Sequence, residues 1–359
     1  MEAYPALEAV ERHARPRQAQ ARDRIAQVLA MSNRLPDEVE RLKERLRLQG
    51  AVALHFHPDR PDPQGQTVIA GMAQRGCYLS QFDTGLSNGH LSPEPGGPRD
   101  NWENALFGHH CREGGERPKY GALDLVRGAD GPSPRFGSCY FRLKPAVLAR
   151  CSFSYRDSYR SPLERGTLNL VDDVLAAMLE ESFESDSALG WPARPPRLLD
   201  HLTMALSQPL KWQLEQPAVR SLDHYIEAQV HGEVRLDRDV QALVADDSYL
   251  GTETGARMQR LATECGFSLA WRAGPRLMAS ELADDFRGPL LPEFGRLVAV
   301  DGLLNASTLG QAACRLHHDP QLWRDLGDES LVRQGLKWLW HALVRYGHYQ
   351  GMVSPRQSR

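Results

Sequence analysis

The chain has 359 residues, enough to bury a sizeable core, and at roughly 150 residues per domain the length predicts two domains or one large domain with appendages. With 43 Lys and Arg against 46 Asp and Glu, a formal charge of −3 and 41% hydrophobic residues, the composition excludes a disordered chain and carries no electrostatic footprint of a nucleic-acid binder. Six cysteines without a C-x-x-C pair, no apolar run as long as a membrane span and no basic-then-apolar leader argue against a zinc framework, a disulfide scaffold and membrane insertion.

The first fifty residues read as helical. Ala19 to Met31 runs without Gly or Pro, and Pro36-Asp37 opens a second helix in which Val39, Leu42 and Leu46 share one face. At Gly50 the composition changes. Ala51 to His57 alternates small or apolar residues with histidine and stops at Pro58, a strand pattern. Thr67 to Arg75 reads as a short helix ended by Gly76. Residues 83–135 are rich in Gly, Pro, Asn and Asp and read as long loops around short elements. Strands are expected at Tyr120 to Val126, Ser138 to Leu143 and Cys151 to Tyr155. Thr167 to Glu181 carries the strongest helical pattern, with Leu168, Val171, Leu175 and Met178 on one face. The Pro-rich stretch 191–197 reads as a linker before another helix. His224 to Leu236 reads as a strand that turns Tyr225, Glu227, Gln229 and His231 one way and Ile226, Ala228 and Val230 the other. Beyond about residue 255 the pattern is helical to the end, including Leu331 to Tyr346.

Three segments gather side chains that carry chemistry. In LHFHPDR (54–60), His55 and His57 fall on one strand face and Arg60 lies just past the strand end. Such a set can offer two nitrogens to a metal ion, or imidazole and guanidinium donors to phosphate and ribose oxygens; it is equally the pattern of two core histidines. In RGCYLSQFDTGLSNG (75–89), Ser80, Gln81, Thr84, Ser87 and Asn88 can supply donors to a polar ligand or form an ordinary polar loop. In YIEAQVHGEVRL (225–236), Glu227 with the neighbouring amide of Gln229 suits stabilisation of a developing positive charge, unless the strand is an edge and the acid simply faces solvent. His109-His110 beside Cys111 and His317-His318 before Asp319 resemble metal clusters by composition only and read as structural.

The order of these pieces is more specific than any one of them. A strand ending in His and Arg, a short helix, Gly-x-Tyr-x-Ser and, much later, a Glu on a strand resembles the ADP-ribosyltransferase superfamily. In its arginine–serine–glutamate branch the first strand carries Arg, a later strand opens with Ser and a third carries the catalytic Glu. RPKYGALDL (117–125), RFGSCYFRLKPAVLARCSFSYRDS (135–158) and YIEAQVHG are similar to a bacterial family related to these transferases, over roughly residues 50 to 290. The resemblance implies Glu227 as the catalytic carboxylate and Ser80 as the serine, with Ser152 and Ser154 competing for that place. It implies NAD contacts from His55, His57, Arg60, Tyr78, Gln81, Thr84, Asn88 and Gln229, with His57 or Arg60 as the first-strand ligand. Members that modify arginine carry Glu or Gln two residues before the catalytic Glu; here Tyr225 stands there, and the amide lies two residues after.

The resulting expectation is an NAD-dependent mono-ADP-ribosyltransferase, toxin- or effector-like, that uses NAD as substrate, requires no metal and modifies a macromolecular acceptor, a protein before a nucleic acid. The expected fold is α+β. It comprises a helical arm (1–49), a transferase-like core of two packed small sheets (50–255) and a C-terminal helical region (256–359). Synthesis in the cytoplasm is the default, with signal-independent export left open. The competing readings are a metal-dependent hydrolase built on His55 and His57, and a non-catalytic NAD- or protein-binding module with a degenerate transferase fold.

Overall fold

The computed structural model describes residues 4–86, 94–108 and 117–349. It is a mixed α+β structure, about 51% helix and 17% strand, with several sheets. Tertiary contacts divide the chain into two compact units that do not follow chain order. The first comprises Met1–Leu54, Cys77–Ser133 and Phe141–Gln241, the second His55–Gly76, Pro134–Tyr140 and Ala242–Arg359. The N-terminal helices thus belong to the first unit, and the segment 50–255 contributes to both.

The strands in chain order are β1 (Val52–Phe56), β2 (Cys77–Tyr78), β3 (Lys119–Leu123), β4 (Cys139–Leu143), β5 (Cys151–Tyr155), β6 (Arg165–Thr167), β7 (Ile226–Val230), β8 (Val234–Arg235), β9 (Val240–Asp246), β10 (Ser268–Arg272), β11 (Pro275–Met278), β12 (Leu303–Leu304) and β13 (His348–Tyr349). In the first unit β1, β3, β7, β5 and β6 lie side by side in that order, every pair antiparallel. All five residues of β7 are buried, so both of its faces are covered and its alternation separates a polar set from an apolar one. The arm helix Gln18–Met31 packs along Asp172–Ser185. Arg17 and Arg24 pair with the buried Asp173, and Lys43 with Asp172, at the start of that helix, where negative charge also meets the helix dipole.

Strand β3 approaches β1 at a glycine. A Cβ at Gly121 would lie 2.4 Å from the Ala53 carbonyl oxygen and 2.7 Å from Leu54 Cδ2. Gly121→Val is therefore expected to lower the unfolding free energy by about 1–3 kcal/mol, read as a fall in the urea midpoint.

In the second unit β9 and β10 pair in parallel, from Ala242 opposite Ser268 to Asp246 opposite Arg272, joined through the helix Glu253–Cys265. Strand β11 lies between β12 and β13. The helices Leu291–Val298, Ala306–His318 and Glu329–Tyr346 complete the unit. Helix Val68–Arg75 stops at Gly76 in the left-handed region (φ +66°), as its sequence predicts.

Several elements depart from expectation. The C-terminal hundred residues are not purely helical, because short strands β10 to β13 interrupt them. The stretch read as loops contains the helix Pro98–Phe107, with Pro at its first position and Gly108 at its left-handed end. The helix expected from Thr167 begins at Asp172, because Arg165–Thr167 is drawn into the sheet as β6 opposite Ser152–Ser154. The Pro-rich linker is the start of helix Pro195–Leu206. The strand 224–236 is two strands, broken at Gly232, whose φ of +75° turns the chain.

Candidate functional site

Glu227 stands in the middle of β7, between β3 and β5. Across the sheet it faces Ala122 on one side and Ser154 on the other, while Gln229 faces Tyr120 and Ser152. The edge-strand alternative for this acid is thereby removed. Glu227 is 6% exposed, and among the described residues it makes no ion pair. Burial, and after it the charge of Asp157, pushes its carboxyl up to about 7. The Ser158 hydroxyl, the Gln229 side chain and the Ser158 backbone N–H pull the other way; the amide donates Nε2–H to Oε1 at 2.9 Å and the Ser158 N–H lies 3.4 Å from Oε2.

A directed chain of hydrogen bonds sets that amide. Ser152 donates its hydroxyl to Gln229 Oε1 at 2.7 Å, so its oxygen accepts from His231 Nε2 at 2.9 Å. Burial, with the charges of Lys119 and Arg150, lowers His231 to about 3, so the ring is neutral and its proton sits on Nε2. Gln229 Nε2 then has its hydrogens for Glu227 and for Ser154 Oγ at 3.2 Å. Gln229→Leu removes the donor to Glu227 and strands the Ser152 hydroxyl. The expected result is a loss of about 1–3 kcal/mol at neutral pH and a Glu227 carboxyl displaced further upward, read by thermal unfolding as a function of pH.

On the β3 side, Tyr120 donates its hydroxyl to Glu103 Oε1 at 2.8 Å. Glu103 is fully buried; burial raises its pKa, while Arg117 and Tyr120 oppose the rise. Arg117 grips Glu103 and Asp100 at 2.6 and 2.7 Å and stacks over the ring of Phe82, 3.9 Å from its centroid. Phe82 lies in the turn Gln81–Thr84 that Ser80 caps. Ser80 is 2% exposed and its hydroxyl donates to Asp83 Oδ2 at 2.6 Å, closing a reciprocal cap with the Asp83 backbone. Thr84 donates to the Ser80 carbonyl at 3.1 Å, and Gln81 leaves a buried Oε1 without a partner. Tyr78 pairs with Val234 across β2 and β8. The 78–84 segment is thus tied to the Glu227 strand through Phe82, Arg117, Glu103 and Tyr120. The hydroxyls around Glu227 and its amide partner are those of Ser158, which bonds the carboxylate, Ser154, which stands across the sheet from it, and Ser152, which bonds Gln229. The Ser80 hydroxyl is engaged by Asp83.

His55, His57 and Arg60 belong to the second unit. His55 is buried, with Nδ1 3.2 Å from the Gly137 carbonyl oxygen and its ring beside Tyr140. The ring of His57 meets Trp340 edge-on at 5.1 Å. Among the described residues no group of three His, Cys, Asp or Glu side chains could hold a metal ion. Asn88 and Ser87, with His109, His110 and Cys111, lie outside the described residues. No helix among those described is long and apolar enough to cross a membrane.

A family model described as "Protein of unknown function (DUF3626)" matches residues 51–346. The chain belongs to this family. The DUF3626 match opens one residue before β1 and closes at the end of helix Glu329–Tyr346, leaving the N-terminal helices outside it. Comparison with curated proteins returns no match. Within the DUF3626 region, Glu103 and Arg117 are site residues that the motifs did not single out. The signal for Glu103 was the helix Pro98–Phe107, whose N-terminal Pro and terminal Gly are visible in the sequence, while Arg117 opens the RPKYGALDL segment. Tyr120 lies in the RPKYGALDL segment and His231 beside the Glu strand, and only strand register makes either a neighbour of Gln229 or Ser152.

Proposed function

We propose that this protein is an NAD-dependent ADP-ribosyltransferase in which Glu227 stabilises the cationic ribose. The observation that carries this reading is a buried carboxylate, on a central strand, held by an amide and given no cation of its own. Glu103, with Arg117, and Asp173, with Arg17 and Arg24, are deeply buried acids that do have a cation, whereas Asp59, buried like Glu227, has among the described residues only the Tyr249 hydroxyl as a side-chain partner of its carboxylate. An unpaired one is costly unless a ligand supplies the positive charge.

The chemistry suits one carboxylate. Cleavage of the nicotinamide–ribose bond sends the bonding pair to the pyridinium nitrogen, so nicotinamide leaves neutral and C1′ becomes an oxocarbenium centre. The Gln229 amide fixes Oε1 of Glu227, and Oε2, which the Ser158 backbone N–H approaches at 3.4 Å, keeps acceptor capacity for the ribose hydroxyl and the developing charge. The acceptor nucleophile then bonds to C1′ and loses a proton. No general acid is needed, since the leaving group is already cationic. Ser154 and Ser152 take the supporting serine role through Gln229, and the 78–84 segment, with the free Oε1 of Gln81, offers contacts for the nicotinamide end. A macromolecular acceptor, a protein first, follows from the resemblance of the sequence to these transferases.

The test is transfer of label from NAD to proteins of a bacterial or host lysate, with release of nicotinamide measured in parallel. Equal labelling by wild type and Glu227→Gln rejects the assignment.

A further inference from the structure

The sequence holds five lysines, and the surroundings of one differ from those of the rest. Lys43 pairs with Asp172 at 2.6 Å, Lys119 and Lys144 donate to the carbonyls of Gly232 and Arg238 at 3.0 and 2.7 Å, and Lys211 is exposed. Lys337, in the second unit, is half-buried in the helix Glu329–Tyr346. Among the described residues its Nζ makes no hydrogen bond and no ion pair.

A second unpartnered group shares that helix face. His341 follows Lys337 at i, i+4, a spacing that sets the two Cβ atoms about 5–6 Å apart. His341 is 6% exposed, and its Nδ1 has no hydrogen-bond partner. Trp340, 2% exposed, fixes this part of the helix by donating its indole Nε1–H to the Pro134 carbonyl at 2.8 Å. An amine and an imidazole nitrogen are thus held as neighbours, withdrawn from water and bonded to nothing in the protein. A charged amine in that position is costly. Burial, and after it the charges of Arg60 and Arg135, lowers the Lys337 ammonium to about 8. Burial, and after it Arg135 and Arg287, holds His341 far below the usual imidazole range, so the ring is neutral. At pH 7 about a tenth of such an amine carries a free lone pair, against less than about 0.1% of an ordinary lysine.

We propose that Lys337 is a nucleophile that captures a small aldehyde as an imine, with His341 carrying the protons of the step. The amine lone pair bonds to the carbonyl carbon and the π pair moves to oxygen. One N–H proton passes through the imidazole to that oxygen. The carbinolamine then loses its second N–H proton as the C=N bond forms, the C–O bond breaks and the oxygen leaves as water. Both protons must travel from nitrogen to oxygen, and a neutral imidazole accepts at one ring nitrogen and donates from the other. The imine also replaces a half-buried amine that would otherwise take up a proton. The step uses neither NAD nor Glu227, so it stands or falls apart from the transferase reading.

The experiment exposes the full chain to propionaldehyde and cyanoborohydride at pH 7 and follows each lysine by peptide mass spectrometry. Lys337 is expected to be alkylated on the order of 10-fold faster than the exposed Lys211, since lower basicity offsets part of the gain in free amine. His341→Gln should slow Lys337 on the order of 10-fold and leave Lys211 unchanged. A single cooperative melting transition shows that this variant is folded. Wild type unfolded in urea supplies the second control: the difference between Lys337 and Lys211 should vanish there. Equal rates at Lys337 and Lys211 in the native chain overturn the proposal. A preference for Lys337 with acetyl phosphate but not with the aldehyde overturns it as well.

Discussion

Glu227→Gln is expected to lower ADP-ribose transfer by about 10²- to 10³-fold, the usual cost of removing one preorganised group aimed at transition-state charge. The same substitution is expected to stabilise the protein above neutrality. The folded-state carboxyl is held near 7, chiefly by burial, against about 4.3 in an unfolded chain. A carboxyl raised in the folded state contributes stability below its unfolded pKa, and that contribution is lost as pH rises through the folded one. Wild type should therefore weaken between about pH 4.5 and 7, by on the order of 3 kcal/mol for this group, and the glutamine variant should not. Because the proposed role needs the ionised form, wild-type transfer should rise with pH through the same interval. Two readouts of opposite sign, a less active and more stable variant at pH 8, distinguish a functional carboxylate from a structural one. A variant that loses stability at pH 8 would contradict this account.

The second large effect is expected at Arg117. Its guanidinium is the cation for two buried acids, Asp100 and Glu103, with side-chain exposures of 4% and 0%, and it also covers Phe82. Burial opposes its charge, but the bonds to Glu103 and Asp100 more than offset this and raise its pKa. Arg117→Met leaves those carboxyls without a partner and should cost about 3–5 kcal/mol of unfolding free energy, measured by denaturant titration. The double substitution with Glu103→Gln should recover part of that loss, since one of the two stranded charges is removed. Hydrogen exchange should quicken first at Gln81 to Thr84, where Phe82 loses the group stacked on it. Unchanged stability in Arg117→Met would show that this cluster is solvated rather than buried.

Legibility in the sequence followed the range of the interactions. The helices Gln18–Met31 and Asp37–Gln49, the strand before Pro58, the Gly76 stop and the alternation around Glu227 all depend on residues within one or two turns, and their patterns could be read directly. Elements that owe their form to a distant partner could not. Thr167 joins a strand because β5 is there to pair with it, and β10 lies in parallel beside β9, with twenty-one residues between their ends. Helix Pro98–Phe107 was masked by the Gly and Pro residues that in fact delimit it.

The candidate site divides along the same line. The sequence by itself determined that Glu227 and Gln229 share one face of a strand, because a period of two needs only the local backbone. Tertiary structure alone decided that the strand is central, that its acid makes no ion pair among the described residues, and that Ser152, Ser154, Ser158 and His231 surround it and its amide partner. The physical reason is that register across a sheet is set by pairing partners far away in the chain, and a carboxylate's environment by whatever those partners bury around it.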